Sequence, residues 1–449
     1  MFSILLANII CIYLVLLYLA IIKHMKILNE LIWRELISNS TGRHLLTKDL
    51  SREKSISIYA GFDPTSPSLH IGHLIPLLML RRFQKLGHRP VILIGGATGM
   101  IGDPRNSGER TLNTVETVSN WTDLMCKQIE NFIEFSNIRN SAVVENNLSW
   151  VASNSTVDFL REIGKYFSVN TMLDRDVVKR RLRTSGISYT EFSYLILQAN
   201  DFLKLHRKYN CIVQIGGSDQ WGNIIAGIKL VKQITKSNVH GITTPLITNS
   251  QGEKVSKSKG KNNIWLNPEM TDPFNFYQYL INIDDINVIK YLKWFTFLSY
   301  EDIANLSFFT NKNSHKRIAQ KKLAYELTTL VHGKNAAKLA ENVSQSLFGQ
   351  GNLNHLSEMT LNNTLPKIGN KKILEICSIN SKSIVDIIIF SGLASSKSNA
   401  RRLILEGGIY VNNIRVKDGT WIPQSLDFLH KRWLILRRGK NNIAIVKII

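Results

Sequence analysis

The stretch FDPTSPSLHIGHLIPL, residues 62–77, has the strongest bearing on how this chain folds. In it His70 and His73 follow a turn rich in Pro and Ser and precede a long apolar run. A helix that begins here presents free backbone N–H groups and a partial positive charge. Gly72 lets a ligand approach the backbone, and the imidazoles add donors. The stretch predicts either an anion site suited to a nucleotide phosphate, or a helix start whose histidines cap it or face solvent.

Apolar strands alternate with helices around this stretch. Strand patterns occur in SISIYAGF (55–62), RPVILIGG (89–96) and CIVQIGG (211–217), and helix patterns in HIGHLIPLLMLRRFQKLG (70–87) and NIIAGIKLVKQIT (223–235). Such alternation is typical of a parallel, doubly wound sheet. The sequence therefore predicts an α/β fold with a Rossmann-like sheet.

The rest of the chain is expected to form additional domains, since 449 residues suit two or three. Helical patterns dominate from about 270 to 345, and residues 349 to 370 are rich in Gly, Asn, Ser and Pro. We expect a catalytic domain at 25–248, a loop and helical domain at 249–348, a linker at 349–378 and a small basic domain at 379–449.

The charge balance favours an anionic partner, either nucleic acid or a membrane surface. The net charge is +22, and residues 366–449 alone hold 15 Lys and Arg against 5 Asp and Glu. The four cysteines, Cys11, Cys126, Cys211 and Cys377, are far apart and form no C-x-x-C pair. This argues against a structural zinc site or a disulfide framework, and favours a reducing, cytosolic compartment.

Residues 1–24 allow two interpretations. The run ILLANIICIYLVLLYLAII, residues 4–22, is long enough to span a bilayer, and the positive flank at Lys23 and Lys26 would keep the remainder cytosolic. Alternatively, translation begins at Met25, and MKILNELIWRELI is an ordinary amphipathic first helix. We expect stable membrane association only if the apolar run is translated.

A second polar stretch, GEKVSKSKGK at residues 252–261, contains Lys254 and Lys257 among small residues. Ammonium groups on such a loop can close over a triphosphate and stabilise the charge on departing pyrophosphate. Taken alone, the stretch is better explained as a solvated lysine run.

A third stretch, YTEFSYLILQANDFLKL at residues 189–205, predicts a helix that is apolar on most sides. Tyr194, Gln198 and Asp201 are spaced four and three apart, so they share one face. This polar stripe is either the solvent-facing edge of the helix or the wall of a polar pocket.

Together these stretches resemble the class I aminoacyl-tRNA synthetases, whose motifs are HIGH and KMSKS. Val255 replaces the methionine of the second motif. The narrower resemblance, over residues 25–449, is to the tyrosyl-tRNA synthetases, and it includes YAGFDPT (59–65), GGATGMIGDP (95–104) and QIGGSDQWGN (214–223). Many members have cysteine where this chain has Ala60, which removes one ribose hydrogen bond. The resemblance implies a tyrosine–tRNA ligase that forms tyrosyl-AMP from tyrosine and ATP and then charges tRNA(Tyr).

The resemblance implies a pocket for L-tyrosine. Tyr59 and Asp201 would hydrogen-bond the phenol hydroxyl. The residues that would hold the α-ammonium are Asp103, Tyr194 and Gln198. Gln220 would place the carboxylate near the α-phosphate, and Gln214 would support the pocket.

The resemblance also implies an adjacent ATP site, with Mg²⁺ carried on the phosphates and no metal bound by the protein itself. The residues expected to act in catalysis are Thr65, His70, His73, Lys254 and Lys257. Gly217 and Asp219 would bind the ribose. The remaining nucleotide contacts would come from Gly61, Asp63 and Gly72, and His73 would also line the adenosine.

The C-terminal stretch IVDIIIFSGLASSKSNARRLILEGGIYVNNIRV, residues 384–416, resembles the S4 RNA-binding domain. Two short helices would place Lys397, Arg401 and Arg402 on one surface, and a strand pair would follow EGG. Their phosphate contacts would supply affinity for tRNA. The resemblance further implies that the helical domain binds the anticodon, and that the protein is a cytoplasmic homodimer.

The sequence also suggests two alternative functions. A tryptophanyl-tRNA synthetase shares the fold, but it needs an indole pocket and not a hydrogen-bonded phenol site. A catalytically silent RNA-binding paralogue would have lost site residues, whereas His70, Gln198 and Lys257 are all present.

Overall fold

The computed structural model describes residues 27–50, 55–105, 108–136, 139–248, 263–348, 353, 356–364, 373–376, 382–439 and 442–448. The apolar run 4–22, Met25 and the lysine stretch 252–261 lie outside them. Internal contacts divide the chain into two units. The first contains the described residues up to Asn267 together with Asp284–Phe308, and the second contains Pro268–Ile283 and the described residues from Phe309 onward.

A six-stranded sheet organises the first unit. Its strands are β1 (Asn39–Ser40), β2 (Ser57–Phe62), β3 (Arg89–Ile94), β4 (Val143–Asn146), β5 (Cys211–Gly217) and β6 (His240–Thr244). They lie in the order β1-β6-β5-β2-β3-β4, and all pairs are parallel except β1 with β6. The predicted α/β fold with a parallel, doubly wound sheet is therefore confirmed.

The sheet reverses its direction of growth between β2 and β5. From β2 the chain adds β3 and then β4 on one side, and it returns to place β5 and β6 on the other side. In doubly wound sheets, ligands bind outside the carboxyl ends of the strands at such a switch point. The segments that follow β2, β3 and β5 are therefore brought to one crevice.

The helices complete both units. In chain order they are α1 (27–33), α2 (Arg43–Leu50), α3 (Ile71–Lys85), α4 (Gly96–Ile101), α5 (Val115–Ile129), α6 (Leu148–Val151), α7 (Thr156–Glu162), α8 (Val169–Leu173), α9 (Asp176–Arg183), α10 (Tyr189–Tyr209), α11 (Trp221–Thr235), α12 (Pro273–Ile281), α13 (Asp285–Phe295), α14 (Tyr300–Lys312), α15 (Ile318–His332), α16 (Lys334–Phe348), α17 (Glu358–Thr364), α18 (Ile384–Phe390) and α19 (Lys397–Leu405). The helices predicted at 70–87, 189–205 and 223–235 are confirmed as α3, α10 and α11. Among the described residues, none of the helices has the length and apolarity needed to cross a bilayer.

Two buried arginines attach the end of α13 to the sheet unit. Arg34 donates to the carbonyls of Lys293 and Thr296 at 3.1 and 3.2 Å, and Arg82 donates to the Thr296 carbonyl at 2.7 Å. The last carbonyls of a helix have no partner within it, so these side chains satisfy them. Residues 284–308 therefore belong to the first unit, whereas the sequence grouped them with the helical domain at 249–348.

The second unit combines helices with a small sheet. The strands are β7 (Ile373–Ile376), β8 (Ile409–Val411), β9 (Ile414–Arg415), β10 (Trp433–Arg438) and β11 (Asn442–Ile448), in the order β7-β11-β10-β8-β9. The two short helices and the strand pair predicted after EGG are confirmed as α18, α19, β8 and β9. The segment predicted as a linker, 349–378, contains α17 and β7.

Candidate active site

A cavity of about 750 Å³ opens at the switch point of the first sheet. It is lined by residues from β2, β3, β5 and β6, from the start of α3 and from the middle of α10. The predicted site residues that line it are Tyr59, Gly61, Asp63, Thr65, His70, Gly72, His73, Asp103, Tyr194, Gln198, Asp201, Gln214, Gly217, Asp219 and Gln220. Lys254 and Lys257 lie outside the described residues.

The two histidines at the start of α3 cap the helix reciprocally. His70 Nδ1 accepts a hydrogen bond from the Gly72 N–H, and His73 Nδ1 accepts one from the His70 N–H, both at 3.1 Å. The two rings stack with their centroids 3.8 Å apart. Because Nδ1 is the acceptor in each ring, we assign the proton of the neutral imidazole to Nε2. Capping and an Nε2–H donor are therefore compatible in the same side chain.

Gly72 makes this arrangement possible. A Cβ atom at Gly72 would lie 2.8 Å from His70 Cε1, which is closer than van der Waals contact allows. The glycine therefore makes room for the capping ring itself, in addition to any ligand that approaches the helix start. A side chain here would force the His70 ring out of its capping position.

Residues 263–266, which follow the lysine stretch in sequence, pair with the chain just before α3. The Ile71 N–H donates to the Ile264 carbonyl, and the Leu266 N–H donates to the Leu69 carbonyl, both at 2.9 Å. Trp265 packs edge-on against His70, with the ring centroids 6.1 Å apart. Residues 263–266 are thus fixed at the helix start.

A buried carboxylate and a buried hydroxyl both line the cavity. Asp201 accepts hydrogen bonds from Trp150 Nε1 at 2.9 Å and from Asn147 Nδ2 at 3.1 Å. Burial raises the pKa of Asp201 to about 7, and the two hydrogen bonds oppose that rise. Tyr59 Oη is buried and has no hydrogen-bond partner among the described residues. An unpaired buried hydroxyl is costly unless a ligand pairs it.

The polar stripe of α10 forms part of the cavity wall. Tyr194, Gln198 and Asp201 all line the cavity, and Tyr194 and Asp201 are 6% and 2% exposed. Neighbouring apolar residues of the same helix, including Leu195 and Phe202, pack into a hydrophobic cluster. The stripe is therefore a pocket wall and not the solvent-facing edge of the helix.

Asp103 is held by amide side chains from the segment after β5. Its Oδ2 accepts from Gln220 Nε2 at 2.9 Å, and Gln198 Nε2 donates to Gln220 Oε1 at 3.3 Å. Burial raises the pKa of Asp103, and the hydrogen bond from Gln220 opposes that change. The result is an enclosed carboxyl group beside polar amides, an arrangement suited to a bound ammonium group.

Asp63 forms hydrogen bonds with two other residues of the cavity wall. Its Oδ2 accepts from the Tyr194 hydroxyl and its Oδ1 from Thr98 Oγ1, each at 2.7 Å. Desolvation raises its pKa, and these two bonds oppose the rise. Asp63 therefore orients the phenol of Tyr194 in this structure, and its assignment to ATP stays a prediction.

Two known family models match this chain. A family model of class I tRNA synthetases for tryptophan and tyrosine matches residues 51–349, and a model of the tyrosine–tRNA ligase C-terminal domain matches residues 371–446. A tyrosine–tRNA ligase of Mycolicibacterium fortuitum is 56% identical over 423 residues, which cover 94% of this chain and 99% of that protein. The chain belongs to the tyrosine–tRNA ligase family.

Other relatives agree with that family. A tyrosine–tRNA ligase of Mycobacterium leprae is 53% identical over 93% of this chain and 98% of its own length. A C-terminally truncated mitochondrial tyrosyl-tRNA synthetase of Aspergillus nidulans superposes with a TM-score of 0.65 at 33% identity, covering 72% of this chain and 94% of that one. A tryptophanyl-tRNA synthetase of Encephalitozoon cuniculi shares the fold at 15% identity and a TM-score of 0.51. The tryptophan alternative is thus not favoured, and the family is one of ATP-dependent aminoacyl-tRNA synthetases.

The sequence-based predictions did not include several residues at the candidate site of this member of the tyrosine–tRNA ligase family. Asn147 and Trp150 follow β4, a strand that no motif marks. Arg105 and Arg110 also line the cavity, and with Thr65 they line a side pocket of about 220 Å³. Both arginines follow Asp103 closely in sequence within a polar stretch, and this pattern could have been used to predict them as site residues.

The predicted RNA surface lies on α19 in the second unit. Lys397, Arg401 and Arg402 are all exposed. Lys397 Nζ lies 3.1 Å from Asp386 Oδ1, and Arg402 Nε lies 3.7 Å from Glu406 Oε1. Exposed ion pairs of this kind are weak, so the cations can exchange these partners for phosphates.

Proposed function

We propose that the cavity activates L-tyrosine with ATP and that the protein then transfers the tyrosyl group to the 3′ end of tRNA(Tyr) in the cytoplasm. The observation that carries this proposal is the buried hydroxyl of Tyr59, which has no hydrogen-bond partner in the described part of the chain and lies close enough to Asp201 to be affected by its charge. A substrate phenol between them would accept from Tyr59 and donate to Asp201. An indole or a phenyl ring could not make both bonds.

The remaining polar groups suit the rest of the amino acid. Asp103, Tyr194 and Gln198 would hold the α-ammonium, since Asp103 supplies an enclosed carboxyl group. Gln220, which already bonds to Asp103, would direct the carboxylate to the α-phosphate. Gln214 Oε1 is buried without a hydrogen-bond partner in the described part of the chain, so it can support the pocket.

The helix start would hold the ATP phosphates. The tyrosine carboxylate attacks the α-phosphate, the bond to the β-phosphate breaks, and pyrophosphate leaves, so no protein nucleophile is required. The Nε2–H groups of His70 and His73, together with Thr65, would stabilise the developing charge. Lys254 and Lys257 would add mobile cations, and Mg²⁺ would arrive with the ATP. Gly61, Gly217 and Asp219 would contact the nucleoside.

The second unit would supply the tRNA contacts, with the helical segments at the anticodon and the small sheet domain as an S4-like clamp. We expect that replacing Lys397, Arg401 and Arg402 together by alanine weakens tRNA binding roughly tenfold and flattens its salt dependence, because phosphate contacts are lost. Adenylate formation should not change. Filter binding over a salt series measures this effect, and an unaltered slope would show that α19 is no RNA surface.

We also propose a homodimer formed through the first unit. Exposed apolar side chains concentrate between residues 112 and 189: Leu112, Val115, Val157, Leu160, Val169, Leu173, Leu182 and Tyr189. Such a concentration is typical of a surface that another protein covers. Sedimentation of the wild type beside a Tyr189→Asp variant tests this proposal, with dissociation expected in the variant.

Tyrosine-dependent exchange of pyrophosphate into ATP tests the proposed activity. We expect exchange with tyrosine and only a weak signal with phenylalanine or tryptophan. Exchange that is fastest with tryptophan would favour the alternative specificity. Complete absence of exchange with intact tRNA binding would instead favour a catalytically silent RNA-binding protein.

A further inference from the structure

A buried ion pair lies outside the contacts described above. Arg181 is in the last turn of α9, and Glu191 is in the first turn of α10. Arg181 Nη1 lies 2.8 Å from Glu191 Oε2, and each side chain is 1% exposed. The pair therefore joins α9 to the helix that carries the polar stripe of the tyrosine pocket.

Both members of the pair bind the main chain of the segment that follows Asp103. Arg181 Nη1 donates to the carbonyls of Arg105 and Gly108, at 3.1 and 2.9 Å. Glu191 Oε1 accepts from the Arg110 N–H at 3.3 Å. Both hydrogens of Nη1 are thus directed to carbonyls, and the contact with Glu191 is mainly one of charge. Three main-chain groups are held by one ion pair.

The residues fixed in this way carry two cations into the site. Arg105 and Arg110 line both the main cavity and the side pocket, and Thr65 is on the same two walls. Burial lowers the pKa of Arg105, the charge on Arg110 lowers it further, and Glu191 opposes both effects. Two guanidinium groups that repel each other need an external constraint to stay close together.

Stability alone does not explain such a pair. Removing two charges from water costs several kcal/mol, and apolar residues of similar volume often stabilise a fold equally well. Apolar side chains could not bind two carbonyls and one N–H of a single segment. The arrangement therefore favours a role in fixing that segment.

We propose that Arg181 and Glu191 are positioning residues that hold Arg105 and Arg110 against the departing pyrophosphate, an inference that rests on the proposed function. The tyrosine pocket has its own contacts on α10. The pair should therefore affect the activation step and pyrophosphate binding while leaving tyrosine binding intact.

Arg181→Lys is the main test, since lysine keeps the charge but has one nitrogen in place of two: Nη1, which binds both carbonyls, and Nε, which donates to the Gly186 carbonyl at 2.9 Å. We expect the rate constant for adenylate formation to fall about tenfold, because misplaced cations stabilise the transition state less well. The KM for pyrophosphate in the reverse reaction should rise. Tyrosine affinity, measured without ATP, should stay within about twofold of the wild type. Glu191→Gln, which keeps an acceptor for the Arg110 N–H, should act in the same direction.

A double-mutant cycle separates positioning from a general effect. Arg110→Ala should itself slow activation, and Arg181→Lys should have a smaller effect in that background than in the wild type, because part of its effect acts through Arg110. Lys179→Met is the matched control. Lys179 is on the same helix as Arg181, and its replacement removes only an exposed ion pair with Asp174, so the exchange rate should stay unchanged.

Three outcomes would overturn the inference. These are an unchanged activation rate in Arg181→Lys and Glu191→Gln, additive effects in the cycle, or a loss of tyrosine affinity that parallels the loss of rate in both variants. An Arg110→Ala variant with wild-type rates would also overturn it while the proposed function stands. No exchange by the wild type would instead reject the proposed function.

Discussion

Replacing Asp201 by alanine is expected to lower kcat/KM for tyrosine activation by at least about 100-fold. A hydrogen bond to a charged group contributes about 1.5–3 kcal/mol, and leaving a buried donor unpaired costs about 1–3 kcal/mol more. The donor left unpaired on binding is the substrate hydroxyl, whereas the loss of the acceptor for Trp150 Nε1 and Asn147 Nδ2 lowers the free energy of unfolding. Since about 1.4 kcal/mol corresponds to a tenfold change, the combined effect is large. Exchange kinetics at varied tyrosine concentration measure it.

Tyr59→Phe is the matched variant for the second proposed hydrogen bond to the substrate hydroxyl, the one that Tyr59 donates. It keeps the ring and its packing against Phe202 but removes the hydroxyl. The ratio of kcat/KM for tyrosine to that for phenylalanine should fall roughly tenfold, the effect of one neutral hydrogen bond. If that ratio is unchanged and Asp201→Ala remains active, the α10 stripe does not bind the phenol.

The pKa of Asp201 adds a pH dependence with a definite sign. Asp201 accepts from the substrate hydroxyl most strongly when ionised, and its pKa is raised to about 7. Tyrosine affinity should therefore decrease as the pH falls below this value. Trp150→Phe removes a bond that lowers the pKa, so the decrease should begin at higher pH. Tyrosine affinity measured from pH 5.5 to 8.5 tests this, and a profile shifted to lower pH would contradict it.

His70→Asn is expected to slow adenylate formation roughly 100-fold with little loss of stability. Loss of a single donor at a developing oxyanion has an effect of about that size. Asparagine is a good N-cap, so its side chain can replace the bond that His70 Nδ1 makes to the Gly72 N–H. It is too short to replace the Nε2–H donor. Pre-steady-state adenylate formation and thermal unfolding should be measured on the same variant.

His70→Ala provides the comparison, because it loses both functions of the imidazole. Its rate should match that of His70→Asn, while its free energy of unfolding should fall by about 1 kcal/mol through loss of the cap. Equal rates in His70→Asn and the wild type would show that the histidine is only a cap.

Much of the site was predictable because its chemistry lies in short, local patterns. The spacing of Tyr194, Gln198 and Asp201 placed them on one helix face, but whether that face met solvent or a cavity depended on the packing of α10 against the sheet. Asn147 and Trp150 could not be predicted, since their contacts with Asp201 join residues that are distant in sequence and carry no motif.

Tertiary contacts also override local tendencies in two other places. Glycines disfavour helices, yet the Gly-rich stretch after β3 forms α4, and Asn147 Oδ1 accepts from the Ala97 N–H in its first turn at 2.7 Å. The segment predicted as a linker contains β7, which pairs in parallel with β11. Its strand partner comes much later in the chain, and local composition cannot reveal such a pairing.

The hydrogen bonds of Arg34 limit how far the protein can be shortened from its N-terminal side. A protease product or an engineered version that began at residue 51 would keep every residue of the cavity wall. It would nevertheless lose the guanidinium that satisfies the last carbonyls of α13, and with it the short strand β1 that covers the edge of β6. The uncovered strand edge would then be open to pairing between molecules, so such a product should aggregate. The expression boundary that preserves the enzyme therefore lies well ahead of its first catalytic motif.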